Sequence, residues 1–203
     1  MTTIGVVALQ GAVSEHIAML TALGVSVREI RTPDRLDGVD AVVLPGGEST
    51  AMARAAAKVG LFDELSVRAG AGLPVFGTCA GLILLAERVQ DGETLEGFAT
   101  VGGLDITARR NAFGGQLASF TEDLAVAGLD GPAFPAVFIR APQVVEVGPE
   151  VEVLARTGVD GPVVAVRQGH LLATSFHPEL TADPRLHRYF VRMVEGLSAR
   201  RAA

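Results

Sequence analysis

The chain holds a single cysteine, Cys79, among 203 residues. That scarcity excludes an internal disulfide and a cysteine-rich metal site, and it leaves one thiol that is either packing or a reagent. Positive charge is also in short supply, since 17 basic against 23 acidic groups give a formal net charge of −6. Sequence-independent binding to phosphate backbones needs clustered positive charge, so no nucleic-acid partner is expected. No apolar run approaches the roughly 20 residues of a bilayer-spanning helix, so no membrane is expected either. Met1-Thr2-Thr3-Ile4-Gly5 lacks the basic segment of a signal peptide, which leads to the expectation of a cytoplasmic protein. Repeats, low-complexity tracts and Ser-, Pro- or charge-rich linkers are missing as well. With 49% apolar residues to fill a core, residues 1–203 are expected to form one domain.

What is present alternates. Residues 4–9, 41–44 and 73–76 are short, nearly continuous apolar runs, the pattern of strands buried on both faces, and residues 25–30 read as a further strand. Between them, residues 13–23 place Ile17, Leu20 and Leu23 on one helical face, with Ser14, Glu15 and His16 on the polar side. Helices are also expected over 49–59 and 82–88. Strand and helix in alternation imply a parallel sheet covered on both faces, with ligands at the carboxyl ends of the strands. After Gln90 the texture changes. Gly92, Gly97, Gly102, Gly103 and Gly114-Gly115 punctuate short runs that read as hairpins. Residues 137–140, 144–147, 151–155, 163–167 and 171–175 read as further strands, many antiparallel, and a last helix is expected over 184–197.

Gly77-Thr78-Cys79-Ala80-Gly81 lies between an apolar strand and an apolar helix. It is the cysteine form of the G-x-S-x-G nucleophile elbow, in which flanking glycines permit a turn too sharp for a Cβ. A helix start beneath the sulfur favours the thiolate. A buried free cysteine is often mere packing, yet packing alone has no need of a glycine two residues away on each side. His177-Pro178-Glu179 follows another strand. Residues two apart on extended chain point the same way, so Glu179 can hold one ring nitrogen of His177 and turn the other toward the sulfur. An exposed turn with a solvated carboxylate is the alternative. His16, His170 and His187 lack such an adjacent acid on an extended segment.

Pro45-Gly46-Gly47-Glu48-Ser49 ends the third strand on the same sheet edge. Its glycines let backbone N–H groups face a ligand and form an oxyanion hole with the N–H of Ala80; a plain loop with Ser49 as helix cap fits too. Arg109-Arg110 and Ile139-Arg140 put arginines outside the helices, suited to a carboxylate or simply solvated. No P-loop, dinucleotide fingerprint or metal-ligand cluster is present, so neither cofactor nor metal is expected.

Together, Pro45-Gly46-Gly47, Gly77-Thr78-Cys79-Ala80-Gly81 and His177-Pro178-Glu179 resemble the triad-type (class I) glutamine amidotransferases. More narrowly, Ala8-Leu9-Gln10-Gly11-Ala12, Gly47-Glu48-Ser49-Thr50, Arg109-Arg110-Asn111-Ala112-Phe113-Gly114, Phe138-Ile139-Arg140-Ala141-Pro142 and residues 173–180 resemble the glutaminase subunits of pyridoxal 5′-phosphate synthase, the PdxT family. The resemblance runs nearly end to end. It implies a three-layer, flavodoxin-like α/β fold with additional antiparallel strands in the second half. It also implies that Cys79 attacks the amide of L-glutamine, with His177 as base and acid and Glu179 orienting it. By the same resemblance Gly47, Glu48 and Ser49 belong to the glutamine-binding loop, Gly47 and Ala80 to the oxyanion hole, and Arg109, Ile139 and Arg140 to the other glutamine contacts. Gln10 matches a position near the subunit contact. The implied partner is the synthase subunit, PdxS in type, which receives the ammonia. In that family the glutaminase is weak until the synthase docks, which suits a glycine loop able to flip a peptide. Gly115 stands where the family favours a larger, often basic residue. A stand-alone cysteine amide hydrolase, a glutaminase serving another synthase, and a scaffold with a relict site remain as other readings.

Overall fold

A computed structural model describes residues 2–110 and 119–202. In chain order the elements are β1 (Thr3–Val7), α1 (Val13–Ala22), β2 (Ser26–Ile30), β3 (Ala41–Leu44), α2 (Ser49–Ala57), α3 (Leu61–Gly70), β4 (Val75–Thr78), α4 (Ala80–Leu85), β5 (Ala86–Gln90) and β6 (Leu104–Arg109). They continue as β7 (Ser119–Leu124), β8 (Phe134–Ile139), β9 (Gln143–Val147), β10 (Glu152–Arg156), β11 (Val163–Gln168), β12 (Leu171–Thr174) and α5 (Arg185–Ala202). One sheet runs β2-β1-β3-β4-β12-β11-β9-β6-β5, with β10 paired to β11, while β7 and β8 form a separate antiparallel ribbon. From β2 to β12 all pairings are parallel. Beyond β12 the sheet turns antiparallel through β11, β9 and β6, and it ends on the parallel pair β5–β6.

The apolar runs are strands because each of their faces meets a different layer. Val7, Val42, Leu44 and Val75 pack with Met52, Phe62 and Leu84 on one side. Ile4, Val6, Val43 and Phe76 pack with Leu20, Phe190 and Phe138 on the other. The period of two thus sorts one chain into two cores, which makes the molecule a three-layer α/β structure. The ribbon β7–β8 joins α1 and α5 in the second core, contributing Phe134, Ala136 and Phe138.

Three expectations need correcting. A third helix, α3, follows α2, its Leu61, Phe62, Leu65 and Ala69 buried and its Asp63, Glu64 and Arg68 turned outward. The helix expected over 82–88 stops at Leu85, because Ala86 takes extended backbone and residues 86–90 become β5. The chain from Gly92 to Gly103 is then a crossover between the parallel strands β5 and β6 rather than a hairpin. Gly114 and Gly115, with the contacts considered around them, lie outside the described residues. Among the described residues no helix is long and apolar enough to cross a membrane.

Candidate active site

The carboxyl ends of β1, β3, β4 and β12 converge on a cleft of about 390 Å³ whose lining includes Gln10, Gly47, Cys79, Arg110, Arg140 and His177. Cys79 sits between β4 and α4 with φ 49° and ψ −101°, a backbone that an L-residue adopts only when its surroundings enforce it. Those surroundings are glycines in close quarters. A Cβ at Gly77 would lie 2.5 Å from the carbonyl oxygen of Gly81, and one at Gly81 would lie 2.2 Å from that of Leu44. The Cys79 N–H donates to the Thr174 carbonyl at 2.8 Å, which ties the elbow to β12, and the thiol points at the Ile139 carbonyl at 3.9 Å.

β12 delivers the second component. The His177 N–H donates to the Val137 carbonyl at 2.8 Å, so the β7–β8 ribbon fixes the turn that carries the ring. His177 Nδ1 lies 2.7 Å from Glu179 Oε1, and the ring lines the cleft together with Cys79. Burial opposes charge on this ring. The sulfur and the carboxylate outweigh it and lift the His177 pKa to about 10. Glu179 has a side chain with 0% exposure, which disposes of the solvated-turn alternative.

The glycine loop lies against the same ring. A Cβ at Gly46 would stand 2.3 Å from His177 Cε1 and 3.3 Å from Cys79 Cβ, so only glycine lets the loop approach. The Gly46 carbonyl accepts from the Ala12 N–H at 3.1 Å, and the Glu48 N–H donates to Gln10 Oε1 at 2.6 Å. Glu48, not Ser49, caps α2, accepting from the N–H groups of Thr50 at 2.9 Å and Ala51 at 2.7 Å. Burial would raise the Glu48 pKa; those two amides and the nearby Arg110 guanidinium more than offset it and hold the carboxyl below its usual range. Ser49 and Ala80 line the cleft as well, and the Ala80 N–H opens α4, where amides have no intrahelical acceptor.

The two neighbouring arginines separate. Arg109, the last residue of β6, turns away from the cleft and bonds Gln143 Oε1, whereas Arg110 reaches into it beside Glu48, Thr50 and Thr94. The strand ends at Arg109 and the chain turns at Arg110, so of the two only Arg110 lines the cleft. Ile139 and Arg140 both line the cleft, Arg140 in left-handed backbone at φ 44°. Sequence reasoning also missed two histidines. His16 and His187, expected on a polar helix side and in the last helix, are both 0% exposed and stand behind Glu179. Their signal is faint in sequence, because α1 buries one face only at Leu20 and His16. Among the described residues no cluster of three His, Cys, Asp or Glu is placed to hold a metal.

The model of the SNO glutamine amidotransferase family matches residues 6–196 of this chain. The pyridoxal 5′-phosphate synthase subunit PdxT of Acidothermus cellulolyticus is 55% identical over 194 residues, covering 94% of this chain and 93% of its own. That of Nocardioides sp. is 55% identical over 195 residues, covering 95% and 96%. A crystal structure of a glutamine amidotransferase superposes with a TM-score of 0.86 at 48% identity, covering 95% of this chain and 98% of that one.

Proposed function

The chain belongs to the SNO glutamine amidotransferase family, and from that premise we propose that it is the glutaminase subunit of a pyridoxal 5′-phosphate synthase. It hydrolyses L-glutamine to L-glutamate and passes the ammonia to a synthase subunit of the PdxS type, as one cytoplasmic glutaminase domain spanning residues 1–203. The observation that carries this reading is the Cys79–His177–Glu179 array at the mouth of a cleft that also holds the Arg110 guanidinium.

With a pKa of about 10, His177 carries the proton at neutral pH, and the Cys79 sulfur attacks in its unprotonated form. The sulfur adds to the side-chain amide carbon of glutamine, and the oxygen draws its electrons toward the N–H groups of Gly47 and Ala80. His177 then gives its proton to the departing nitrogen, ammonia leaves, and a γ-glutamyl thioester remains. Neutral at that moment, His177 takes a proton from water, whose oxygen attacks the thioester and releases glutamate and the thiolate. Glu179 holds the ring by its Nδ1–H throughout. Arg110, Ile139, Arg140 and the loop of Gly47, Glu48 and Ser49 are the glutamine contacts, with Arg110 taking the place expected for Arg109. Gln10 links the cleft rim to that loop through the Glu48 N–H, which gives a docked synthase a direct lever on it.

The test is glutamine turnover with and without the synthase subunit. Turnover that rises on adding the synthase supports the reading, and full turnover by the chain alone favours a stand-alone amide hydrolase. Cys79→Ala should lower glutamine-dependent product formation by at least about 10⁴-fold while leaving formation from added ammonium salt intact. Survival of the glutamine-dependent reaction in that variant removes Cys79 as nucleophile.

A further inference from the structure

Behind Glu179 the buried polar array does not stop. His177 uses only Oε1 of the carboxylate. Oε2 is buried, and among the described residues it has no hydrogen-bond partner; His16 Nε2 stands 3.4 Å from it. The same nitrogen lies 3.1 Å from Thr78 Oγ1, in the residue before the nucleophile. On its other side His16 Nδ1 lies 3.0 Å from His187 Nε2. A helix from each end of the chain thus sends a histidine through the second core to the back of the catalytic carboxylate, and both rings pack around Phe76. A buried pair of polar rings is costly in an apolar core, and nothing in packing alone requires it.

The structure assigns His16 as a positioning residue for Glu179: its Nε2 edge stands 3.4 Å from Oε2, while His187 fixes the ring from behind. The tautomers follow from the contacts. A hydrogen on His16 Nε2 is received by the Thr78 hydroxyl at 3.1 Å and turns a positive edge toward the carboxylate, whereas a bare lone pair there would face carboxylate oxygen. His16 Nδ1 is then an acceptor and takes the His187 Nε2–H. That leaves His187 Nδ1 without a hydrogen, in keeping with its having no partner among the described residues. The opposite assignment would bury an N–H with nothing to receive it, at the larger cost. The direction of the chain is therefore His187 to His16 to Glu179 to His177. Burial disfavours a proton on either rear ring, with His187 pushed down to about 4, and at His16 repulsion from a protonated His187 or His177 acts in the same direction. A neutral donor steadies the carboxylate without competing with His177 for its charge.

This inference rests on the glutaminase reading, and the experiment separates the two. Glutamine turnover by the wild-type complex with its synthase tests that reading, and variants at His16 test only the new one. Gln at position 16 can place an amide N–H where Nε2 stands; Asn is too short to do so, and Leu offers no donor. His16→Leu is expected to lower kcat by about 10-fold or more, because the buried carboxylate oxygen loses the one polar edge that faces it among the described residues. KM for glutamine should stay within about twofold, because the residue touches no substrate. His16→Gln should keep kcat within about threefold of wild type. Equal kcat in the Leu and Gln variants would overturn the assignment. If His16→Leu fails to fold by circular dichroism, His16→Asn takes its place, and the same equality with His16→Gln is decisive.

Discussion

At the cleft end of this buried array His177 carries a pKa of about 10, and at the core end His187 carries about 4. Both rings are buried, and both pay the desolvation that opposes a charge. What separates them is what they face. His177 meets a sulfur and a carboxylate, whereas His187 meets another imidazole and the aromatic face of Phe76. One carboxylate inserted between rings of the same type therefore confines positive charge to the ring beside the Cys79 sulfur. Burial by itself yields neutrality; partner placement yields a charged ring at the cleft.

The severest break in this comparison is at the carboxylate itself. Glu179→Gln removes the charge and gives the chain an amide that can satisfy only one side. With its oxygen toward His177 Nδ1–H, its NH₂ meets the Nε2–H of His16. Turned round, it forces His177 into the tautomer that cannot accept from Cys79 or from water. A fall in kcat of about 10⁴-fold is expected, measured as glutamine hydrolysis in the synthase complex, with ammonium-dependent synthesis unaffected. A loss of only a few-fold would mean that the carboxylate is not the divider between the two ends.

Sequence carried the cleft end well and the core end poorly. Cys79 announces itself through Gly77 and Gly81, whose neighbours leave no room for a Cβ, and His177 through its pairing with Glu179 two residues on. The inner parallel strands β1, β3 and β4 are equally legible, because burial on both faces writes itself as a nearly unbroken apolar run. His16 and His187 have no such local mark. Each becomes meaningful only when α1 and α5, separated by 171 positions at this contact, are laid on the same face of the sheet. The Arg109 and Arg110 ambiguity has a related origin: the motif names both, and only the end of β6 decides which one faces the cleft. The crossover from β5 to β6 was hidden by glycines that serve hairpins and irregular crossovers alike.

A milder perturbation, pH, should act on the two ends with opposite sign. Between its unfolded value near 6.5 and its folded value of about 10, His177 binds more proton in the folded protein, so its stabilisation is lost as pH rises through that window. Between about 4 and 6.5 the unfolded chain binds more proton at His187, so stability falls as pH falls. His16 acts in the same direction as His187. The urea midpoint is therefore expected to peak near neutrality, with Cys79→Ala flattening the alkaline side. A midpoint that rises steadily from pH 4 to pH 10 would contradict the assignment of charge to the two ends.

The smallest effect belongs to the outermost ring. His187→Leu removes the donor to His16 Nδ1 but leaves the His16 Nε2–H facing Glu179. The loss is one hydrogen bond between neutral groups, so kcat should fall by only about 2- to 10-fold, less than in His16→Leu. Stability should respond differently: the variant has one fewer buried imidazole to keep uncharged, and the fall of the urea midpoint below pH 6.5 should become shallower. The two readouts divide the array where the charges divide it. If His187→Leu were as damaging to kcat as His16→Leu, the hold on Glu179 would depend on the whole chain of rings. The core end would then be part of the catalytic charge system instead of its neutral support.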